Sequence, residues 1–146
     1  MREYSLADFV PVGHHPSQDE LKNLSNLAEL ILEPVMIALD TDINISSGLR
    51  IRNKNLNIGG VVNSDHLFGA AVDLTPTSPK VSIWDFFRKV ISLDTPYRQT
   101  IYSIDAFENR WLHISVNHKL NKYKHEALIE NEGKFFAYNK EMKKPF

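Results

Sequence analysis

The first strong pattern along the chain is helical. Leu21, Leu24, Leu27, Ala28, Ile31, Leu32, Val35 and Leu39 recur at helical spacing and define one apolar stripe. Ser17-Gln18-Asp19-Glu20, just ahead of it, has the form of a capping box, with Ser17 capping the helix start and Glu20 reaching back. Pro34 falls inside the stripe, which resumes beyond it, so the spacing predicts a kinked helix. Residues 1–16, broken by Pro11, Gly13 and Pro16, read as an irregular lead-in. Ile43 to Ser47 alternates apolar and polar and predicts a strand. A polar loop rich in Asn and Gly runs from Gly48 to about Ser64. Phe68 through Leu74 is small and apolar, the signature of a buried strand ending at Asp73 and Leu74, and Thr75 to Pro79 is a loop.

Ser82 caps a second helix that buries Ile83, Phe86, Phe87, Val90 and Ile91. Thr100 to Ile104 and Trp111 to Val116 predict two strands, joined by a hairpin over Asp105 to Asn109. The last thirty or so residues are basic and aromatic by turns and predict no definite element. This order implies an α+β fold, a small antiparallel sheet with the two helices packed on one face. The 146 residues suit a single domain, with a core over about 5–116 and a C-terminal extension over about 117–146.

Composition narrows the function. Hydrophobic residues make up 42% of the chain and the formal net charge is -1, without the basic stripe a nucleic-acid binder needs. No apolar run reaches membrane-spanning length, so no membrane insertion is expected. Met1 to Leu6 lacks the basic-then-apolar layout of a signal peptide. A protein made in the cytoplasm and acting outside it would depend on a holin, a virion or lysis for release. The absence of cysteine excludes disulfides, a thiol nucleophile and a thiolate zinc site. A metal would have to be held by His, Asp or Glu.

The densest chemical signal is Ser64-Asp65-His66-Leu67-Phe68-Gly69-Ala70-Ala71-Val72-Asp73. His66 and Asp73 can meet at one metal if a short turn brings the chain back, and Gly69 with its neighbouring alanines allows that close approach. Catalytic zinc takes three protein ligands and keeps an open position. Trp111-Leu112-His113 supplies a third, on a strand that gives His113 a defined face, with Trp111 on the same side. A lone His is more often structural than a ligand, and only the surrounding motif reverses that prior. Trp111 reads as core before substrate wall, and His14, His15, His118 and His125 read as solvent-exposed. Lys119 through Lys124 reads as a solvated basic face.

Ser64-x-His66-x-x-Gly69-x-Ala71-x-Asp73, followed downstream by Trp111-x-His113, resembles the zinc D-Ala-D-Ala carboxypeptidase and phage endolysin family, whose fold the hedgehog signalling domain shares. Ser47-Gly48-Leu49-Arg50 is similar to that family's Ser-Gly-Tyr-Arg segment, and Asn55 to Gly60 to its Asn-x-x-x-Gly-Gly. The resemblance covers roughly residues 5 to 116 and is closest to the short single-domain phage forms. It implies Zn2+ bound by His66, Asp73 and His113, and Arg50 gripping a substrate carboxylate or polarising the scissile carbonyl. Ser64 would support the site and substrate through hydrogen bonds. The implied partner is the peptide of peptidoglycan, cleaved during phage lysis or entry, with virion proteins as further partners.

The resemblance also implies a glutamate base, and here the pattern departs. One family position for it is Arg110 in this chain; the other, on the preceding strand, is Ser103 within Gln99-Thr100-Ile101-Tyr102-Ser103. A serine is no base at neutral pH without an activator. Glu108, the nearest carboxylate before His113, is the first candidate, with Asp105 the second. Without a base the implied role is non-enzymatic, a virion or cell-wall-binding protein on the same scaffold; a third reading is an adaptor using the basic aromatic tail.

Overall fold

A computed structural model describes residues 9–11, 13–48, 64–118 and 125–146. Helix α1 (Gln18–Leu27) starts at the expected capping box: Ser17 Oγ accepts from the Glu20 N–H at 3.1 Å and Glu20 Oε1 accepts from the Ser17 N–H at 2.7 Å. A π turn (Ala28–Leu32) leads into α2 (Glu33–Leu39). The expected kink at Pro34 is thus resolved differently. The wider turn ends just before the proline, which sits in the first turn of α2, so the ring is taken up where the winding is already widened rather than by a sharp kink.

Six strands form one sheet in the order β1-β2-β4-β3-β5-β6: β1 (Ile43–Ser47), β2 (Ala71–Pro76), β3 (Tyr97–Ile104), β4 (Arg110–Val116), β5 (Glu126–Asn131) and β6 (Lys134–Ala137). Helix α3 (Ile83–Ser92) lies between β2 and β3 in sequence and starts at a second capping box, Ser82 with Asp85. The α+β architecture is as expected. The sheet is mixed, however: β5 crosses to the far side of β3 and pairs with it in parallel, while every other pair is antiparallel. A strand that runs against β4 but lies beyond β3 has to run with β3.

Alternation sorts the sheet into two faces. Val72, Leu74, Tyr102, Leu112, Ile114 and Ile129 are buried in the core with Leu24, Leu27 and Ile31 of the first helical segment and Trp84, Phe86 and Phe87 of α3. Each fully buried large side chain of this set contributes about 1.5–3 kcal/mol relative to exposure. The C-terminal segment, which sequence patterning left undefined, supplies β5 and β6 and then caps this core. Tyr138 packs edge-on against Trp84 and Phe87, and Phe146 stacks on Tyr102 with ring centres 4.8 Å apart. No described helix is long and apolar enough to cross a membrane. The opposite face of the sheet carries Asp73 and His113.

Candidate metal centre

Asp73 on β2 and His113 on β4 are direct cross-strand partners, so their side chains leave the sheet together. Asp73 Oδ1 lies 2.9 Å from His113 Nδ1. His66 comes from a different element, a 3-10 turn (Asp65–Phe68), and places its Nε2 3.3 Å from the same Asp73 oxygen. The apolar run at Phe68 is therefore not the start of a strand. Gly69 takes φ 69° and reverses the chain, so extension begins only at Ala71. A Cβ at Gly69 would also approach the Glu20 carbonyl oxygen to 2.9 Å, so the turn packs on α1 only with glycine.

Several contacts hold that turn. Ser64 Oγ accepts from the His66 N–H at 3.2 Å, which makes Ser64 a cap for the turn that carries His66. Asp65 is buried and gripped from two sides: Arg98 Nη1 donates to Oδ2 at 2.6 Å, and His118 Nε2 lies 2.9 Å from Oδ1. His118 is thus buried rather than exposed, and it stacks on Phe68. Its partners lie some fifty residues upstream, where no local pattern could reveal them. His125 is half-buried and stacked on Tyr97 with ring centres 4.0 Å apart, another departure from the exposed reading. His14 reaches Glu20 at 3.6 Å.

The donor set fits a zinc-type cation. One atom from each of His66, Asp73 and His113 lies within 4.8 Å of the others. Tetrahedral ligands at about 2.0 Å from zinc stand about 3.3 Å apart, close to the two distances above. The Nδ1 of His66 faces the Gly48 carbonyl oxygen at 2.8 Å. A carbonyl can only accept, so Nδ1 carries a proton, and Nε2 is the nitrogen that would turn its lone pair to a bound cation. Burial raises the Asp73 carboxyl, but hydrogen bonds from His113 and His66 and their charge outweigh it and hold the group well below the usual carboxylate range. Asp73 is an anion with two histidines aimed at it, the arrangement three ligands need.

The carboxylates expected as the base, Glu108 and Asp105, are not gathered there. Arg50 lies outside the described residues. Glu108 is exposed in the β3–β4 hairpin at φ 65°. His113 pairs with Ile101 while the hairpin's last pair is Ile104 with Arg110, so three steps, about 10 Å of strand, precede the Glu108 loop. What little burial Asp105 has pushes its carboxyl up; hydrogen bonds from Asn109 and Phe107 outweigh this and hold it below the usual range. Its oxygens accept from both residues, which commits the group to the turn. Ser103, buried, pairs with Trp111 on the metal face and with Glu130 on β5. Glu126 and Glu130 are the carboxylates β5 adds to that face. Sequence reasoning missed them because β5 itself was not legible.

No curated protein matches the chain. The sequence pattern of one family, peptidase M15, matches residues 11–115, which contain the 3-10 turn, β2, all but the last residue of β4, and His66, Asp73 and His113. With that match across most of its length, the chain belongs to the peptidase M15 family.

Proposed function

We propose that this chain is a zinc-dependent peptidase that hydrolyses peptide bonds of bacterial peptidoglycan, encoded by a bacteriophage and used in lysis or entry. Membership of the M15 family makes a metallopeptidase its basic chemistry. The observation that carries the reading is the convergence of His66 Nε2, His113 Nδ1 and Asp73 Oδ1, with the His66 tautomer set by Gly48. When bound, zinc lowers the pKa of a water and polarises a carbonyl. The chain's own residues do the rest. Asp73 and the histidines hold the cation, Ser64 and the Asp65 contacts hold His66, and Arg50 orients the substrate through its carboxylate by a guanidinium fork. Release of the protein to the wall by lysis, or its carriage on a virion, belongs to the same proposal.

One observation favours a second reading, a scaffold that binds metal and cell wall without cutting. Ser103 stands on the metal face where a carboxylate would serve as base, and Glu108 is exposed beyond it. The two readings separate in one experiment. Purified protein is assayed for zinc and for release of peptide fragments from peptidoglycan, with His66→Ala in parallel. Stoichiometric zinc with fragment release, both lost in the variant, supports the peptidase. Zinc without hydrolysis supports the scaffold, and no zinc in the wild type rejects both.

A further inference from the structure

The outer edge of β6 is unpaired among the described residues. Glu132 and Gly133 form a two-residue turn with φ 50° and 83°, so Asn131 and Lys134 face each other as a hydrogen-bonded pair. Bonding then alternates along the hairpin. Lys134 and Phe136 turn their backbone groups toward β5, and the bond from the Tyr138 N–H to the Ala127 carbonyl at 3.0 Å keeps the same phase. The N–H and C=O of Phe135 and Ala137 therefore point outward, and among the described residues nothing bonds to them.

The side chains favour an added strand over a ligand on the surface. Edge strands are usually blunted by charge, proline or a bulge, and on β6 only Lys134 does this. Phe135 pairs with Glu130 on the metal face and is 54% exposed; Phe136 pairs with Ile129 on the helix face and is 53% exposed. A ligand lying on one face would cover one ring. A strand added along the edge covers both and also answers the free backbone groups.

The sequence of β6 is complementary to itself. Two copies set antiparallel, with Phe136 opposite its own counterpart, bring Phe135 of each opposite Ala137 of the other. These are the positions whose N–H and C=O point outward, so both pairs close their bonds. A register centred on Phe135 would instead set Ala137 against Gly133 in the turn and lose one of those pairs. The two Phe136 rings form a non-hydrogen-bonded pair, whose side chains approach closest, and each Phe135 ring lies beside a small alanine. Lys134 falls opposite Tyr138 rather than a second lysine. The same register brings exposed Glu132 of one copy level with exposed Lys140 of the other, so opposite charges meet at both ends. Each half-exposed ring offers about 100 Å², well short in sum of the roughly 1,200 Å² of stable interfaces, so the association is weak and concentration-dependent.

We propose that β6 pairs with β6 of a second copy of this chain and joins the two sheets in a two-fold dimer. The edge stands three strands from β4 and His113, and the proposal does not rest on the peptidase reading.

The test is sedimentation velocity on the full chain from low micromolar to near-millimolar concentration. Monomer is expected at the lower end and dimer at the upper, with nothing larger, because two-fold pairing uses up the edge. Ala137→Pro removes an outward N–H and no bond to β5, so it should weaken the dimer about tenfold or more with an unchanged melting temperature. Phe136→Lys sets like charges directly opposite and should do the same; it carries the test if the proline variant melts lower. Glu132→Lys should weaken the dimer about threefold or more, and adding Lys140→Glu should restore it. A chain that stays monomeric throughout overturns the proposal, as does assembly beyond a dimer. So does a dimer that both Ala137→Pro and Phe136→Lys leave intact, or a double charge swap that restores nothing.

Discussion

Asp65 and His118 are bonded at 2.9 Å although 53 residues separate them, and Arg98 closes the same carboxylate from the other side at 2.6 Å. All three groups are buried, and Asp65 immediately precedes His66, one of the candidate metal ligands. Removing the charge of Asp65 strands Arg98 in a dry environment. Breaking one partner of such a buried pair costs about 3–5 kcal/mol. Asp65→Asn should therefore lower stability by roughly that amount in urea unfolding. His118→Gln, which keeps a donor toward Asp65, should cost less than half as much. Equal stability of Asp65→Asn and the wild type would show that these contacts do not hold the turn.

Gly48 acts on the same histidine from β1's end. Its carbonyl oxygen accepts from His66 Nδ1, and a Cβ at this position would meet the Phe9 carbonyl oxygen at 2.4 Å and its Cα at 2.9 Å. Both opposing atoms are backbone, so the glycine itself must shift. Gly48→Ala should displace the carbonyl and release the His66 ring. Loss of such an outer partner of a metal ligand weakens metal affinity about 10–100-fold. Competition titration against a chromogenic zinc chelator measures it. An affinity within twofold of wild type would mean that Asp73 and His113 orient the site without this carbonyl.

The parts of this arrangement that were legible in the sequence are those that rest on short spacing. The capping box at Ser17, the helix cap at Ser82, the hairpin at Asp105 to Asn109, and the run from Ser64 to Asp73 all sit within ten or so residues. Their geometry follows from local backbone rules, and the motif around His66 and His113 resembled a known family. What was not legible depends on distant partners. β5 is mildly apolar, half-buried along most of its length, and held by β3 and by β6, which is itself exposed, so it shows no strong alternation. The π turn before Pro34 and the burial of His118 likewise depend on what packs against them. Phe68 misled because an apolar run does not distinguish a strand from a turn whose side chains pack inward.

Asp73 carries a pH prediction for the metal-free protein. Burial raises its carboxyl, and the bonds from His113 and His66 pull it further down, so its folded value lies below the unfolded value of about 3.9. A depressed folded pKa means that the ionised group favours the fold. The contribution is complete above about 3.9 and is lost as pH falls through the lower folded value. In chelator-treated samples, the stability difference between the wild type and Asp73→Asn should hold at pH 5 and shrink toward pH 2. Hydrogen bonds to a charged group set its size at about 1.5–3 kcal/mol. A difference that stays flat over that window would show that the two histidines do not stabilise the anion.

The identity of the proton acceptor gives the most discriminating prediction. Residues 49–63 and 119–124 contain no Asp or Glu, so those segments cannot supply a base. On the metal face of the sheet the strands offer Asp73, Glu126 and Glu130. Asp73 is committed to the histidines, and Glu126 accepts from Gln99 at 2.8 Å. Glu130 pairs in register with Ser103, and Ser103 lies two residues along β3 from Ile101, the partner of His113. A serine cannot hold a water's proton at neutral pH, but it can pass one on while surrendering its own to a carboxylate. A relay from the metal side through Ser103 to Glu130 would balance once the Glu130 carboxylate turns to its register partner, whereas Glu108 stands beyond the last pair of the hairpin. If the chain hydrolyses peptidoglycan, Glu130→Gln and Ser103→Ala should each lower kcat by about 100-fold, within the range for loss of a general base. Glu108→Gln should stay within twofold. Zinc content should be unchanged in all three, which separates proton transfer from metal loss. A large loss in Glu108→Gln alone would instead mean that the hairpin folds over the site and that its glutamate is the base.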